Sequence, residues 1–411
     1  MSATLRTRCA IAGGGPAGMM LGYLLARAGL DVVVLEKHAD FLRDFRGDTI
    51  HPSTLGLMNE LGLIDRFLAL PHGATERLTA RIGGERFVMA DFTHLPEPVN
   101  RLVFMPQWDF LDFLAGEAKR YPGFHLVMRG EATDLVRDGD GRVSGLEART
   151  PEGPLRVEAD LVVACDGRHS TIREAAGLAA ADIGAPMDVL WFSLPREAGD
   201  QAETGGAIEA GGIVVTIDRG DHWQCGLVIA KGGDAAIRAG GLEAFRARVA
   251  AIAPGLGPRL AAIRSLHDVK LLTVGVDRLP RWRRPGLLLI GDAAHTMSPV
   301  GGVGINLAIQ DAVAAANLLA PVLRAGVVGE ADLAAVQKRR EWPVRVTQAA
   351  QVLIQNRVLV PVLAAQNRPK APLLLRLLAA TGLLGRLAAR AIGMGVRPEH
   401  VSADILARHG T

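Results

Sequence analysis

RCAIAGGGPAGMMLGYLLARAGLDVVVLEK, residues 8–37, decides the fold. Arg8–Ala12 reads as a short apolar strand and Gly13–Gly18 as a glycine-rich turn. Met19–Ala28 is helical, Gly29 ends the helix, and Asp31–Leu35 is a valine-rich strand closed by Glu36. Continuous apolar runs of this kind mark strands buried on both faces, so the segment opens a βαβ unit of a parallel sheet. Gly13–Gly18 fits G-x-G-x-x-G, with an acid about twenty residues further on. Gly13 allows a tight turn, Gly15 lets a pyrophosphate approach the backbone, and Gly18 lets the helix pack on the sheet. The helix start offers free N–H groups and a partial positive charge to a phosphate. Glu36 is placed to accept hydrogen bonds from ribose hydroxyls and would repel a 2′-phosphate, so the site suits FAD or NAD. Ala17 and Lys37 complete the residues expected against this dinucleotide.

Two later segments discriminate between those cofactors. Cys165-Asp166-Gly167-Arg168-His169-Ser170 follows one buried strand, Leu161–Ala164. Gly291-Asp292-Ala293-Ala294-His295 follows another, Leu287–Ile290, and leads through Pro299–Asn306 into a long helix, about 305–323. A second glycine-rich approach to a helix start, more than 250 residues away, is not needed by a plain NAD dehydrogenase. A flavin needs one. Its reduced ring carries negative charge that a helix N-terminus stabilises. Asp292, at a strand end, is placed for a ribityl or phosphate-side hydroxyl.

Working outward, 411 residues exceed one compact core and suggest two lobes. Arg77–Ala90 reads as a hairpin around Gly83–Gly84. Between Ile183 and Asp268 the texture changes to short strands (Val189–Leu194, Ala207–Ile217, Trp223–Ile229), then helices near Leu242–Ala253 and Leu256–Ile263. The expected fold is α/β. A discontinuous Rossmann-type FAD-binding domain takes residues 1–73, 100–183 and 268–345. An inserted, mostly antiparallel β-sheet substrate domain takes 74–99 and 184–267, and a C-terminal helical region takes 346–411. A kink is expected at Pro343. Formal charge is +3 with no strongly basic domain, so nucleic acid is not an expected partner. Three cysteines at long spacings give no metal-ligand pattern and read as buried thiols in a reducing cytoplasm. No signal peptide is read at the N-terminus, and no apolar run reaches the ~18 residues of a membrane span. The basic tail reads as a helical appendage packed on the body, with a dimer interface or membrane-surface contact as alternatives.

With these motifs in place, the chain resembles the group A flavoprotein monooxygenases, the para-hydroxybenzoate hydroxylase superfamily. The resemblance rests on Gly13–Gly18 with Glu36, on Asp166-Gly167, and on the run GDAAHTMSPVGGVGINLAIQD, residues 291–311. It implies further site residues. Arg46 would contact the flavin pyrophosphate and Gln107 the ribityl chain. Asp166 and Gly167 would serve FAD and NAD(P)H. Gly291 and Asp292 would lie at the ribityl side. Pro299, Gly302, Gly304, Ile305 and Asn306 would form the loop against the isoalloxazine. The implied chemistry is NAD(P)H- and O2-dependent hydroxylation of a small aromatic or apolar substrate through a flavin C4a-hydroperoxide. NAD(P)H would dock transiently, because no second dinucleotide motif is present. His51, Pro299 and Gly304 are expected nearest the chemistry. Trp191, Phe192, His222 and Trp223 are further candidates near the substrate. Relatives often use a tyrosine to help deprotonate a phenol; here only Tyr23 and Tyr121 exist, and both fall in nucleotide-fold helices. A flavin dehydrogenase or reductase without oxygen insertion, and a non-catalytic flavin-binding protein, are the alternative readings. The halogenase cousins carry a W-x-W-x-I-P segment that is missing here.

Overall fold

The computed structural model describes residues 3–42, 49–197, 199–200 and 204–407. At its centre four parallel strands lie side by side: β1 (Ala3–Ala12), β2 (Val32–Glu36), β3 (Gly153–Ala164) and β4 (Leu287–Leu289). Their order across the sheet is β4-β3-β1-β2, with Phe124–Met128 beyond β2. Every residue of β2 is buried. β1 is exposed in its first half and buried from Cys9 onward. Leu161–Ala164, which reads as a separate strand, is the end of the longer β3. The first half of β3 pairs antiparallel with Val143–Thr150, and the second half runs parallel between β1 and β4. No turn separates the halves; only the burial changes, from alternating to continuous at Leu161.

The helix α1 (Pro16–Arg27) is buried along nearly its whole length. It packs between the sheet, the helix Gln107–Ala118 and the long helix α2 (Gly304–Ala325). By length and apolarity α2 matches a membrane span, but 78% of its apolar window is buried inside the protein, where it is the central core helix.

A second sheet of seven strands runs in the order 270–272, 187–195, 222–230, 212–218, 205–209, 77–82, 85–91. All its pairings are antiparallel except that of Gly205–Glu209 with Arg77–Ile82. The hairpin at Gly83–Gly84 has positive φ at both residues (54° and 82°), which glycine permits without a Cβ penalty. Three expectations change. Lys270–Leu272 extends this second sheet rather than the first, by pairing with Val189–Trp191. Ala207–Ile217 is two strands turned at Gly211 (φ 72°). Leu256–Ile263 lies in tight 3-10 turns, since Pro254, Gly255, Gly257 and Pro258 cannot sustain an α-helical ladder.

The C-terminal region is not an appendage beginning at 346. The helix α3 (Glu330–Ile354) runs unbroken through Pro343 across that boundary. Farther on, α4 (Leu373–Ala380) and α5 (Leu383–Gly393) lie along the strand Glu85–Asp91.

The first glycine loop is tightly packed. A Cβ on Gly18 would stand 2.0 Å from the Gly13 carbonyl oxygen, and one on Gly13 2.4 Å from that of Cys165. Both neighbours are backbone and cannot rotate away. Gly18→Ala is therefore expected to destabilise the fold by about 1–3 kcal/mol, read as a lowered Tm by calorimetry. An unchanged Tm would contradict this packing.

Candidate functional site

The central strands stop in register. Ala12 pairs with Leu35 on one side and Ala164 on the other, and Ala164 pairs with Leu289. The residues that follow, Gly13, Glu36, Asp166 and Gly291-Asp292, consequently emerge at one edge. Gly13 turns with φ 100°. Above Gly15 there is open space, with nothing within 4 Å of where a Cβ would sit. The α1 N-terminus has no side-chain cap and no acid in its first turn, so its N–H groups and positive end are uncompensated. Glu36 is buried, and its carboxylate accepts from the Gly14 N–H and the His38 N–H, both at 3.0 Å. These bonds hold the carboxylate against the glycine turn. Lys37 is exposed beside it. Arg46 lies outside the described residues.

Asp166 is turned toward its own loop. It accepts from Ser170 Oγ at 2.5 Å and from the Ile172 N–H at 3.1 Å. Burial raises its pKa above the ordinary carboxylate range, against the opposing effect of these bonds. The side chain thus shapes the loop at Gly167 (φ 86°). From the next turn, Arg173 donates to the Ala293 carbonyl at 3.1 Å and the Arg168 carbonyl at 2.6 Å, stapling the second loop to the third.

The third loop rests on a buried ionic cluster that sequence reading passed over. Gly291 (φ 59°) is wedged between α1 and α2; a Cβ there would lie 3.2 Å from both Ala17 and Ala308. Its N–H donates to Asp311 Oδ2 at 3.2 Å. The same oxygen meets His295 Nε2 at 2.6 Å, and Oδ1 accepts from Arg340 Nε at 2.9 Å. Arg340 continues to Glu399 at 3.4 Å. Burial opposes the Asp311 charge, but His295 and Arg340 outweigh it and hold the carboxyl below the usual range. Asp292, one residue from this anchor, is exposed.

Pro299–Gly302 forms the final loop, with φ 82° at Gly301 and 63° at Gly302. The helix α2 follows with neither a side-chain cap nor a first-turn acid. Ile305 is buried behind the helix start, while Gly304 is partly open. A ladder of glutamines on one side of α3 holds the loop's entry. Gln348 Nε2 donates to the Thr296 carbonyl at 2.9 Å. Gln351 Nε2 donates to the carbonyls of Ser298 (2.9 Å) and Val300 (2.8 Å), and its Oε1 accepts from the Ser298 N–H (3.2 Å). Gln355 reaches Ser298 Oγ at 2.6 Å, where the helix loosens into one π turn, Gln355–Leu359. Asn306 clamps the other side, accepting from the His51 N–H and Thr54 Oγ and donating to the Thr49 carbonyl. Gln107 stands half-buried at the first turn of its helix, after Met105-Pro106.

An open approach over Gly15, an oriented carboxylate at Glu36 and two uncompensated helix starts fit an extended, doubly anionic dinucleotide with a second charged end. Residues 6–350 match a protein family described as FAD binding domain. Over 378 residues the chain is 35% identical to the 6-methylpretetramide 4-monooxygenase of Streptomyces rimosus, covering 90% of this chain and 88% of that one. The chain belongs to this family of FAD-dependent monooxygenases. A more distant relative is the 12-dehydrotetracycline 5-monooxygenase/anhydrotetracycline 6-monooxygenase of Streptomyces rimosus, 28% identical over 75% of this chain; the chain spans 61% of its length. Among solved structures, PqsL, a probable FAD-dependent monooxygenase from Pseudomonas aeruginosa, superposes with a TM-score of 0.72. It is 22% identical and covers 87% of this chain and 97% of its own, a likeness of fold.

The second sheet stands beside the loop Pro299–Gly302, with Val300 packed on it. Its two faces differ. Leu190, Phe192, Leu194, Trp223, Cys225 and Leu227 pack under the helix Gly241–Ile252, with Phe192 edge-on to Phe245 at 5.4 Å. Phe192 and Trp223 are thus core residues and not substrate contacts. The Trp223 indole N–H is taken by Asp200 at 3.0 Å, and His222 is bonded to its neighbour Asp221. The opposite face carries Met187, Ile213 and Val228, with Val300 of the loop packed against them. Trp191 is on this face by strand alternation, and its Nε1–H is buried with no partner in the protein. Tyr23 is buried, bonded to Arg27 and edge-on to Tyr121, so both tyrosines belong to the first core.

His51 differs from its expected role. It has no exposed surface, and its Nδ1–H donates to the Ile392 carbonyl of α5 at 2.8 Å. Burial pushes its pKa down to about 4, so the ring is neutral and ties the tail to the site without exchanging protons with solvent.

Two expectations follow. In the unfolded chain His51 takes up a proton near pH 6.5, whereas in the fold it does so only near 4. Its contribution is complete above pH 6.5 and fades as the pH falls toward 4, by up to about 3 kcal/mol. Urea unfolding of His51→Asn should show a flatter stability–pH curve than the parent over that window; parallel curves would remove His51 from the account. Asp311→Asn strands buried His295 and Arg340 and should cost about 3–5 kcal/mol. It should also shed flavin on gel filtration, through loss of the Gly291 anchor, and full retention would disprove that anchoring.

Proposed function

We propose that the enzyme hydroxylates a polycyclic aromatic substrate of the kind exemplified by 6-methylpretetramide, consuming one O2 and one NAD(P)H and releasing water. The observation that carries this reading is the 35% identity with the 6-methylpretetramide enzyme over nearly the whole of both chains. The sheet face beside the loop, taken as the substrate side, agrees with it. It is apolar, with Met187, Ile213 and Val228 buried beneath Val300 of the loop and Leu359, Val362 and Leu363 of the C-terminal region, and it carries one unpaired donor, the Trp191 indole N–H. The half-buried Trp191 on this face would suit a flat, largely apolar ring bearing an oxygen to be oriented.

In this reading the adenosine ribose lies at Glu36 and the pyrophosphate at the α1 start, over Gly15 and Ala17, with Arg46 as its cation. Gln107 and Asp292 take the ribityl side. The ring lies against Pro299, Gly302 and Gly304, with Ile305 and Asn306 behind it. When bound, FAD supplies the electrons that activate O2 and passes one oxygen atom to an electron-rich carbon. The chain's own work is positional. The α2 N-terminus stabilises negative charge at the ring, the glutamine ladder fixes the loop's height, and the sheet face excludes water. No tyrosine is at hand to ionise a phenol, so the substrate's hydroxyl must be acidic enough by itself or be deprotonated by water. NAD(P)H docks transiently at the same edge. Its three buried, unbridged thiols fit a reducing compartment, and we place the enzyme in the cytoplasm.

The test is a panel of polycyclic phenols scored for stimulated NAD(P)H oxidation together with a mass gain of one oxygen. NAD(P)H consumed with alkene or carbonyl reduction and no oxygen gained would replace this reading with a reductase. Asp292→Ala should leave mostly colourless protein. Gln351→Ala leaves three buried backbone groups short of partners. It should keep its flavin and turn over at least tenfold more slowly, with more NAD(P)H oxidised per product formed; unaltered coupling would remove the ladder from the mechanism.

A further inference from the structure

The outer side of the C-terminal helices has no counterpart in the site described above. Residues 342–398 contain seven arginines, one lysine and no acidic side chain. Within that stretch, α4 buries none of its residues. Leu373, Leu374 and Leu377 are 73%, 67% and 59% exposed, and on α5 Leu383 and Leu387 are 53% and 59% exposed. Leu383, Arg386, Leu387 and Arg390 follow the i, i+3, i+4, i+7 spacing of a single helix face. The opposite face of α5 is fixed to the protein. A Cβ on Gly393 would strike Pro52 and Phe92, and Gly385 lies over Asp91. The exposed stripe is therefore held outward by packing.

We propose that this stripe docks the enzyme onto an anionic phospholipid bilayer. Leucines flanked by arginines on a short helix match the boundary between acyl chains and headgroups. Helices of 8 and 11 residues are too short to cross a bilayer, so they lie in its surface. Charge selects the partner. Arg376 is paired with Glu85 and Arg368 with Glu209, but Lys370, Arg386 and Arg390 have no acidic partner among the described residues. A second copy of this chain would bring the same cations face to face.

The full-length, FAD-loaded enzyme should sediment with sucrose-loaded vesicles of phosphatidylglycerol and phosphatidylcholine at low salt, and not with phosphatidylcholine alone. Binding should weaken as salt rises. Arg386→Glu/Arg390→Glu should lower the partition coefficient at least tenfold, since each arginine is worth about fivefold near such a surface. Leu377→Ser/Leu387→Ser should lower it to a similar degree. Retained flavin absorbance in both variants certifies the fold. Three results would each overturn the proposal. One is wild-type protein left in the supernatant with acidic vesicles, and another is equal binding by the variants. The third is a vesicle-free dimer that the leucine variant converts to monomer, which would assign the stripe to a second copy.

Discussion

Four parallel strands that end at the same register are the constraint on which the site depends. Because Leu35, Ala12, Ala164 and Leu289 align across the sheet, loops from residues 13, 36, 165 and 290 meet at one edge. A parallel sheet permits this because its strands all point the same way and its crossovers lie on its faces. Small buried residues make the edge narrow. Ala10, Ala12 and Ala164 keep the strand ends slim, and Gly291 fits between Ala17 and Ala308 only because it lacks a side chain.

Register brings the loops together, but polar clamps set their heights. Arg173 ties the second loop to the third, and Asp311 ties the third to α2, His295 and Arg340. Asp311 is fully buried and Arg340 nearly so, and burying an ion pair costs about as much as its attraction returns. Its value lies in direction. A carboxylate with three committed partners holds Gly291 where an apolar contact would let it slide. The same principle runs through Gln348 and Gln351, whose amides reach buried backbone groups more than fifty residues away, and through Gln355, which donates to the Ser298 hydroxyl.

The tail thereby acquires two distinct faces. Its inner face supports the flavin loop through α3 and locks His51 through Ile392. Its outer face is apolar and basic. One segment thus joins the most buried polar contacts of the site to the most exposed leucines of the surface.

The sequence alone was enough for the Rossmann-type parallel core, the three loop motifs, the α2 start and the mostly antiparallel second sheet. Those features are written in short-range signals: apolar runs, glycines where positive φ is required, an acid at a strand end. It was silent on the Asp311 cluster, although His295 and Asp311 stood inside a motif already in view, because a carboxylate's partners depend on what folds against it. It split β3 at Leu161, where burial changes and the backbone does not. It read His51 as facing a substrate, though the chain that buries it arrives 341 residues later. It left open which faces Phe192 and Trp191 occupy, since alternation separates the faces of a strand without naming the one that meets the core. Tertiary structure decided those points, because burial and hydrogen-bond partnership belong to pairs of distant segments, whereas backbone turns and apolar periodicity belong to single ones.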